Sequence, residues 1–153
     1  EVIDIIVDGM RTSANLGLAA AAIALAFGTV LGSVAALRRN KFIDRVIMVI
    51  TTAFVSMPSF IMGMFMLLLF TVKFTIFPAN GAEAGGLVLP IIALSLSPMA
   101  NITRLTRSSM LDVLGQDYIR TAKAKGVSGV KTIFGHAHLL LLKHLLLYMY
   151  LLA

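Results

Sequence analysis

The stretch TSANLGLAAAAIALAFGTVLGSVAAL, residues 12–37, contains no charged side chain and is rich in alanine and glycine. Two further charge-free stretches follow at residues 46–72 and 84–103. A helix needs about 20 apolar residues to cross the hydrocarbon core of a bilayer, and each stretch is at least that long. Lipid offers the backbone no hydrogen-bond partners, so uninterrupted runs of this length predict helices. The sequence therefore predicts an all-α, polytopic transmembrane helix bundle with spans at about 12–37, 46–72 and 84–103.

The composition excludes an ordinary soluble domain. Hydrophobic residues make up 59% of the 153 positions and charged residues only 13%, whereas about 25% of a soluble domain is charged. The chain has no cysteine, which excludes disulfides, thiol nucleophiles and thiolate metal sites within it. Three spans in a chain that begins with glutamate are expected to form a partial copy of a larger membrane domain.

The basic residues alternate along the chain in a way that predicts orientation. Lysine and arginine cluster in residues 38–45 and 104–136, while residues 1–11 and 73–86 are acidic or nearly neutral. Positively charged connectors remain in the cytoplasm. The first pair of segments is therefore predicted to be cytoplasmic and the second pair external. This topology accounts for the net charge of +6, with anionic lipid rather than nucleic acid as the partner of the basic loops.

Proline and polar residues occur within the predicted spans. Pro58 lies in the middle of the second span and is predicted to kink it, either as plain architecture or as a hinge that shapes a translocation path. Ser95 and Ser97 lie between two prolines and are expected to bond carbonyls that the prolines leave without donors. The three spans contain no ionisable residue. Ion pumps and proton-coupled carriers usually have one, so this absence disfavours a secondary transporter.

Residues 104–126, RLTRSSMLDVLGQDYIRTAKAKG, form a polar, cationic segment after the third span. Apolar residues recur there at helical spacing and predict a stripe that packs on a surface. A glycine at position 115 weakens that helix in its middle. The stripe consists of Leu111, Leu114, Tyr118 and Ala122.

A second short helix is predicted at residues 118–125. Asp117 suits the N-cap, and Gly126 suits the position after the helix, where a left-handed conformation is common. From these residues alone, two interpretations remain open. The helix either lies on the membrane surface as an amphipathic segment or docks on a cytoplasmic protein.

The chain resembles the permease subunits of bacterial ABC importers, in the dipeptide, oligopeptide and nickel branch. Short segments match in the order and spacing of that family, and the set is far more specific than any one of them. The segments are LRR at 37–39, DR at 44–45, SMPSF at 56–60, FPANG at 77–81, LP at 89–90, TRLTRSSM at 103–110, DYIRTAKAKG at 117–126 and HA at 136–137.

The resemblance implies a six-span permease fold in the bacterial inner membrane, of which residues 1–153 are one partial domain. It implies ATP-binding cassette ATPases, a second permease subunit and an extracytoplasmic solute-binding protein as partners. The family's E-A-A-x-x-x-G pattern, the coupling helix that docks on the ATPase, falls on residues 120–126, with arginine in place of glutamate. The residues expected to dock are Asp117, Tyr118, Arg120, Thr121, Ala122, Lys123, Lys125 and Gly126.

These expectations define a transport subunit rather than an enzyme. Peptides are the expected cargo, ahead of nickel, and ATP hydrolysis is expected on a partner chain. The alternative is a channel or secondary carrier whose basic loop rests on the membrane. In the permease interpretation, residues 104–137 form the coupling loop. The apolar tail at 138–153 departs from the family pattern.

Other kinds of site find little support in the sequence. GVSGVKT at 126–132 lacks the glycine that must precede the lysine of a phosphate-binding loop. The histidines at 136, 138 and 144 do not share one helical face, so no metal site is expected. No span offers a base beside a serine, so no catalytic residues and no cofactor are expected.

Overall fold

The computed structural model describes residues 2–81 and 83–115, and the structural statements below concern those residues. They form α-helices joined by short turns, with no strand, which confirms the predicted all-α fold class. The helices are α1 (Val2–Leu37), α2 (Phe42–Ser56), α3 (Ser59–Leu67), a π-helical segment (Leu68–Lys73) and α4 (Val88–Leu114).

Two of these helices are long and apolar enough to cross a membrane. They are Gly9–Leu37 within α1 and Val88–Leu114, which is α4. A third crossing arises only if Phe42–Ser56 and Ser59–Lys73 together make one broken span. The described part of the chain therefore contains two or three candidate spans by length and composition.

The predicted second span is not one continuous helix. Its two halves meet at an angle of 101°. Met57 is extended, with φ −92° and ψ 128°, because the ring of Pro58 disfavours the helical conformation in the residue before it. Pro58 also has no N–H to continue the hydrogen-bond ladder, so α2 ends at Ser56 and α3 begins at Ser59. The sequence predicted a kink at this proline, and the structure shows a sharp break.

The helices α1 and α4 approach closely along a seam of small residues. A Cβ atom on Gly32 would lie 2.6 Å from the carbonyl oxygen of Thr103, and one on Gly28 would lie 2.8 Å from Cγ2 of Ile102. Ala24, Ala35 and Ala100 are fully or almost fully buried in the described residues. Small residues allow such close packing where both helices are surrounded by lipid. The glycine- and alanine-rich first helix is therefore packed tightly on α4.

The start of the predicted connector is a continuation of the third helix. α4 runs through Pro98 and then through residues 104–114 without interruption, and it ends at Leu114. The N–H of the following Gly115 donates to the carbonyl of Leu111. Thr106 and Met110 are buried in this part of α4. The helix therefore continues past the predicted span at 84–103, and residues 104–114 form its last turns.

The expected hydrogen bond of Ser95 has a different acceptor. Pro98 removes the donor that would otherwise bind the carbonyl of Leu94, four residues earlier. The Ser95 hydroxyl donates instead to the carbonyl of Ile92, at 2.8 Å. The serine thus bonds the helix backbone without replacing the donor that the proline lacks.

Candidate functional site

The sequence-predicted site residues fall in two parts of the chain. The docking residues of segment 117–126 lie outside the described residues, so their role remains a prediction. Pro58 is described and lies at the break between α2 and α3. Two features of the described structure bear on function. One is an ion pair where α1, α2 and α4 meet, and the other is a groove beside the Pro58 break.

The ion pair joins Asp44 in the first turn of α2 to Arg107 in α4. Nε of Arg107 donates to Oδ1 of Asp44 at 2.6 Å, and Nη2 donates to Oδ2 at 2.8 Å. The Asp44 side chain is only 4% exposed, whereas that of Arg107 is 23% exposed. Two parallel hydrogen bonds between a planar guanidinium and a carboxylate set distance and orientation together. The relative position of α2 and α4 is therefore defined at this contact.

The same carboxylate also holds the turn between α1 and α2. Oδ2 of Asp44 accepts the backbone N–H of Asn40 at 2.9 Å. Asn40 has a φ of 63°, a left-handed conformation that asparagine tolerates better than most residues. The Lys41 N–H donates to the carbonyl of Arg38 and closes the turn. One buried carboxylate thus connects the end of α1, the start of α2 and the side of α4.

The last turns of α4 pack against the end of α1. Met110 is 2% exposed and contacts the buried Ala36, with Leu111 beside them. Thr106, one residue before Arg107, is fully buried, and its Cβ lies at the closest approach to Gly32. This end of α4 is therefore held by apolar packing on α1 and by the ion pair on α2. The predicted docking segment begins at Asp117, shortly after α4 ends.

Asp44 and Arg107 lie in the two basic segments that the charge pattern predicts to be cytoplasmic. Their direct contact brings residues 38–45 and the start of 104–136 to the same end of the bundle. This is the arrangement that the predicted orientation requires, because both segments were assigned to one side of the membrane.

The groove lies between α3 and α4, next to the Pro58 break. It has a volume of about 370 Å³ and is open to the outside of the bundle. Its walls are apolar apart from one serine, so it has no charged group with which to bind an ionic ligand. The lining residues are Ser59, Phe60, Gly63, Leu67, Leu89, Pro90, Ala93 and Leu94.

Sequence reasoning treated Asp44 and Arg107 as topology charges and as parts of matching segments, and it missed that they pair. One signal was present: Asp44 is the single acidic residue among the basic residues 38–45. An isolated carboxylate in such a segment, at the start of an apolar helix, is a candidate for burial with a cation. The sequence does not say which of several arginines is its partner.

No group of three or more potential metal ligands occurs among the residues that the structure describes. The histidines at 136, 138 and 144 lie outside them.

Comparison with known proteins identifies the family to which this chain is similar. Residues 28–151 match the model of the binding-protein-dependent transport system inner membrane component. The match thus extends into the tail at 138–153 that the sequence analysis separated from the family pattern.

The chain is also similar to individual permeases. It is 47% identical to the dipeptide transport system permease protein DppB of Bacillus subtilis over 135 residues, covering 88% of this chain and 44% of that protein. It is 37% identical to the oligopeptide transport system permease protein OppB of Salmonella typhimurium over 137 residues, covering 88% of this chain and 45% of the relative. The di/tripeptide transport system permease protein DppB of Pseudomonas aeruginosa is 36% identical over 152 residues, covering 80% of this chain and 45% of the relative.

The chain thus spans somewhat less than half the length of these relatives. The family model nevertheless matches most of its residues, and the matched part contains the Asp44–Arg107 contact, the break at Pro58 and the predicted docking segment. This chain belongs to the family of binding-protein-dependent transport system inner membrane components.

Proposed function

We propose that this chain forms part of the translocation path of an ATP-driven importer of peptides in the bacterial inner membrane. Permeases of dipeptide, oligopeptide and di/tripeptide transport systems are similar to it over most of its length, which supports peptides as the cargo. Its role is that of a transport subunit, and the ATP is hydrolysed by a separate chain.

The observation that carries this proposal is the continuity of α4. One helix runs from the apolar part of the bundle to Leu114, and the predicted docking segment begins at Asp117, two residues after Gly115. A displacement of residues 117–126 by a partner ATPase therefore acts on the end of α4. The last turns of α4 are packed on α1 and ion-paired to α2, so the displacement reaches the bundle.

The proposed partners are two ATP-binding cassette ATPases, a second permease subunit and an extracytoplasmic solute-binding protein. Closure of the ATPase pair moves the docked segment, and the spans rock to open the path outward. Binding shifts such an equilibrium only through a difference in affinity for the two states. The docking residues must therefore engage the ATPase differently in the resting and ATP-bound complexes. Pro58 provides the break at which one wall of the path bends.

A disulfide crosslink tests this proposal. The sequence has no cysteine, so within it a single Lys123→Cys substitution in the intact permease adds a thiol with no native thiol to compete for the crosslink. A second cysteine is placed in the docking groove of the co-expressed ATPase, and crosslinking is compared with and without ATP. Arg104→Cys serves as the matched control, because this exposed residue lies on α4 and precedes the docking segment in the chain.

We expect a crosslink from position 123 whose yield changes with nucleotide, and none from position 104. If an assembled complex gives no crosslink at 123 or its neighbours, the segment lies on the membrane surface instead. ATP-independent transport by the same complex would then favour the channel or secondary-carrier alternative.

A further inference from the structure

The contact between α2 and α4 differs in kind from that between α1 and α4. The helices α1 and α4 interlock through backbone close approaches at Gly28 and Gly32, where no side chain fits between them. The polar link from α4 to α2 is the pair of hydrogen bonds from Arg107 to Asp44. The α1–α4 pair therefore behaves as one packed body, and the ion pair connects α2 to it.

The α2 helix runs from this ion pair to the break at Pro58. Asp44 lies in its first turn, and the helix ends at Ser56, after 15 residues. No proline or glycine interrupts it, so it transmits displacement along its axis as a rod. A movement of Arg107 that is passed to Asp44 thus arrives at the 101° bend between α2 and α3.

Stability alone gives little reason for a charge pair at this place. Replacing a buried ion pair by apolar residues of similar volume is often neutral or stabilising, because two charges no longer have to be desolvated. The paired geometry instead provides defined position, since the guanidinium fork and the carboxylate fit in one orientation. Oδ2 of Asp44 also accepts the backbone N–H of Asn40, so the α1–α2 turn is connected to the ion pair.

We propose that the Asp44–Arg107 pair is a positioning link that transmits movement of the α4 end, through α2, to the break at Pro58. This inference rests on the proposed function, because the movement originates in the docking segment that follows α4. Asp44 and Arg107 contact neither cargo nor nucleotide in this role. They set how far the wall beside the break moves when the segment after α4 is displaced.

The test compares peptide uptake with ATP hydrolysis in the same preparation. The intact permease is reconstituted into proteoliposomes with its second permease, its ATPases and its binding protein, and the ratio of peptide transported to ATP hydrolysed is measured. The decisive variant is Asp44→Leu with Arg107→Met, which removes both charges and preserves apolar packing. The matched control is Arg104→Gln, which removes an exposed cation one turn earlier on the same helix.

We expect the double variant to assemble and hydrolyse ATP, but to transport at least about fivefold less peptide per ATP, in the range typical of a coupling between sites. The control should keep the wild-type ratio. A wild-type ratio in the double variant would overturn the proposal and leave the pair a structural contact. A loss of uptake and hydrolysis in equal proportion would overturn it as well.

A second variant covers the case in which the double variant does not assemble. Arg107→Lys keeps the positive charge beside Asp44, but lysine cannot form the bidentate pair of hydrogen bonds that the guanidinium makes. We expect it to assemble and to show a lowered ratio of peptide to ATP, whereas an unchanged ratio would contradict the link. If the wild-type complex itself shows no ATP-dependent peptide uptake, the proposed function has failed. If the wild-type complex transports peptides and these variants retain its ratio, only the link has failed.

Discussion

Single residues determine how closely the helices of this bundle approach one another. At Gly32 the backbone of α4 passes so near that a Cβ atom would lie 2.6 Å from the carbonyl oxygen of Thr103 and 2.6 Å from Cβ of Thr106. Both of these atoms belong to a helix, and neither can swing aside as the tip of a flexible side chain can. Glycine is therefore required at this position by packing, independently of its backbone conformation.

Replacement of Gly32 by alanine should separate α1 from α4. We expect Gly32→Ala to lower the midpoint of thermal unfolding of the purified permease in detergent, because overpacking of a tight interface costs roughly 1–3 kcal/mol. Gly17→Ala is the matched control, since a Cβ there meets nothing within 4 Å. Alanine is the better helix former, so the control should unfold at the same or a slightly higher temperature. Equal midpoints for the two variants would contradict the close approach.

At the scale of helices, two prolines have different effects: the helix breaks at Pro58, and α4 continues through Pro98. Pro58 ends α2 and turns the chain by 101° into α3, whereas Pro98 lies inside α4 without ending it. The difference is visible in the preceding residue: Met57 is extended, while Ser97 remains helical. An interior proline can end a helix or remain within it, and the structure shows one outcome at each of the two sites.

Removing the proline should straighten the chain between α2 and α3. In Pro58→Ala the restored N–H can bond the carbonyl of Phe54, and one continuous helix becomes possible. Spin labels on cysteines at Val49 and Phe65, which are 68% and 58% exposed, report the change by electron paramagnetic resonance. A straight helix would separate these positions by about 24 Å along its axis, farther than a sharply bent chain allows.

We expect the distance between the labels to increase in Pro58→Ala and peptide uptake to fall. Pro90→Ala provides the control, because this proline lies in the first turn of α4, where a missing N–H costs little. An unchanged distance in Pro58→Ala would show that packing, not the proline, holds the bend.

At the scale of the whole molecule, packing brings together the two segments that the charge pattern predicts to be cytoplasmic. The ion pair gathers the two basic segments at one end of the bundle. The connector that contains Glu83 joins the other ends of the π-helical segment and α4. In the predicted orientation a bilayer separates these ends, and the basic end lies on the cytoplasmic side.

The orientation can be measured with single cysteines. Lys41 and Glu83 are both exposed and lie at opposite ends of the bundle. In intact spheroplasts, we expect a membrane-impermeant thiol reagent to label Glu83→Cys at once and Lys41→Cys only after the membrane is permeabilised. The reverse pattern would invert the topology, and the docking segment would then face away from any ATPase.

The sequence by itself determined the class of this protein, and it predicts the orientation and the docking segment. These properties follow from local patterns: runs of apolar residues, the placement of lysine and arginine, and an ordered set of short motifs between residues 37 and 137. Each pattern can be read without knowing which helices touch, because hydropathy and charge act on each segment separately.

Only the tertiary structure decided how the segments meet. Asp44 and Arg107 are 63 residues apart, and their pairing depends on the depth and rotation of two helices that the sequence does not specify. The same holds for the angle at Pro58, because a proline predicts a break but leaves its direction to the helices packed on either side. Contacts between distant residues result from the whole packing arrangement, and the link that we propose between α4 and α2 is a contact of this kind.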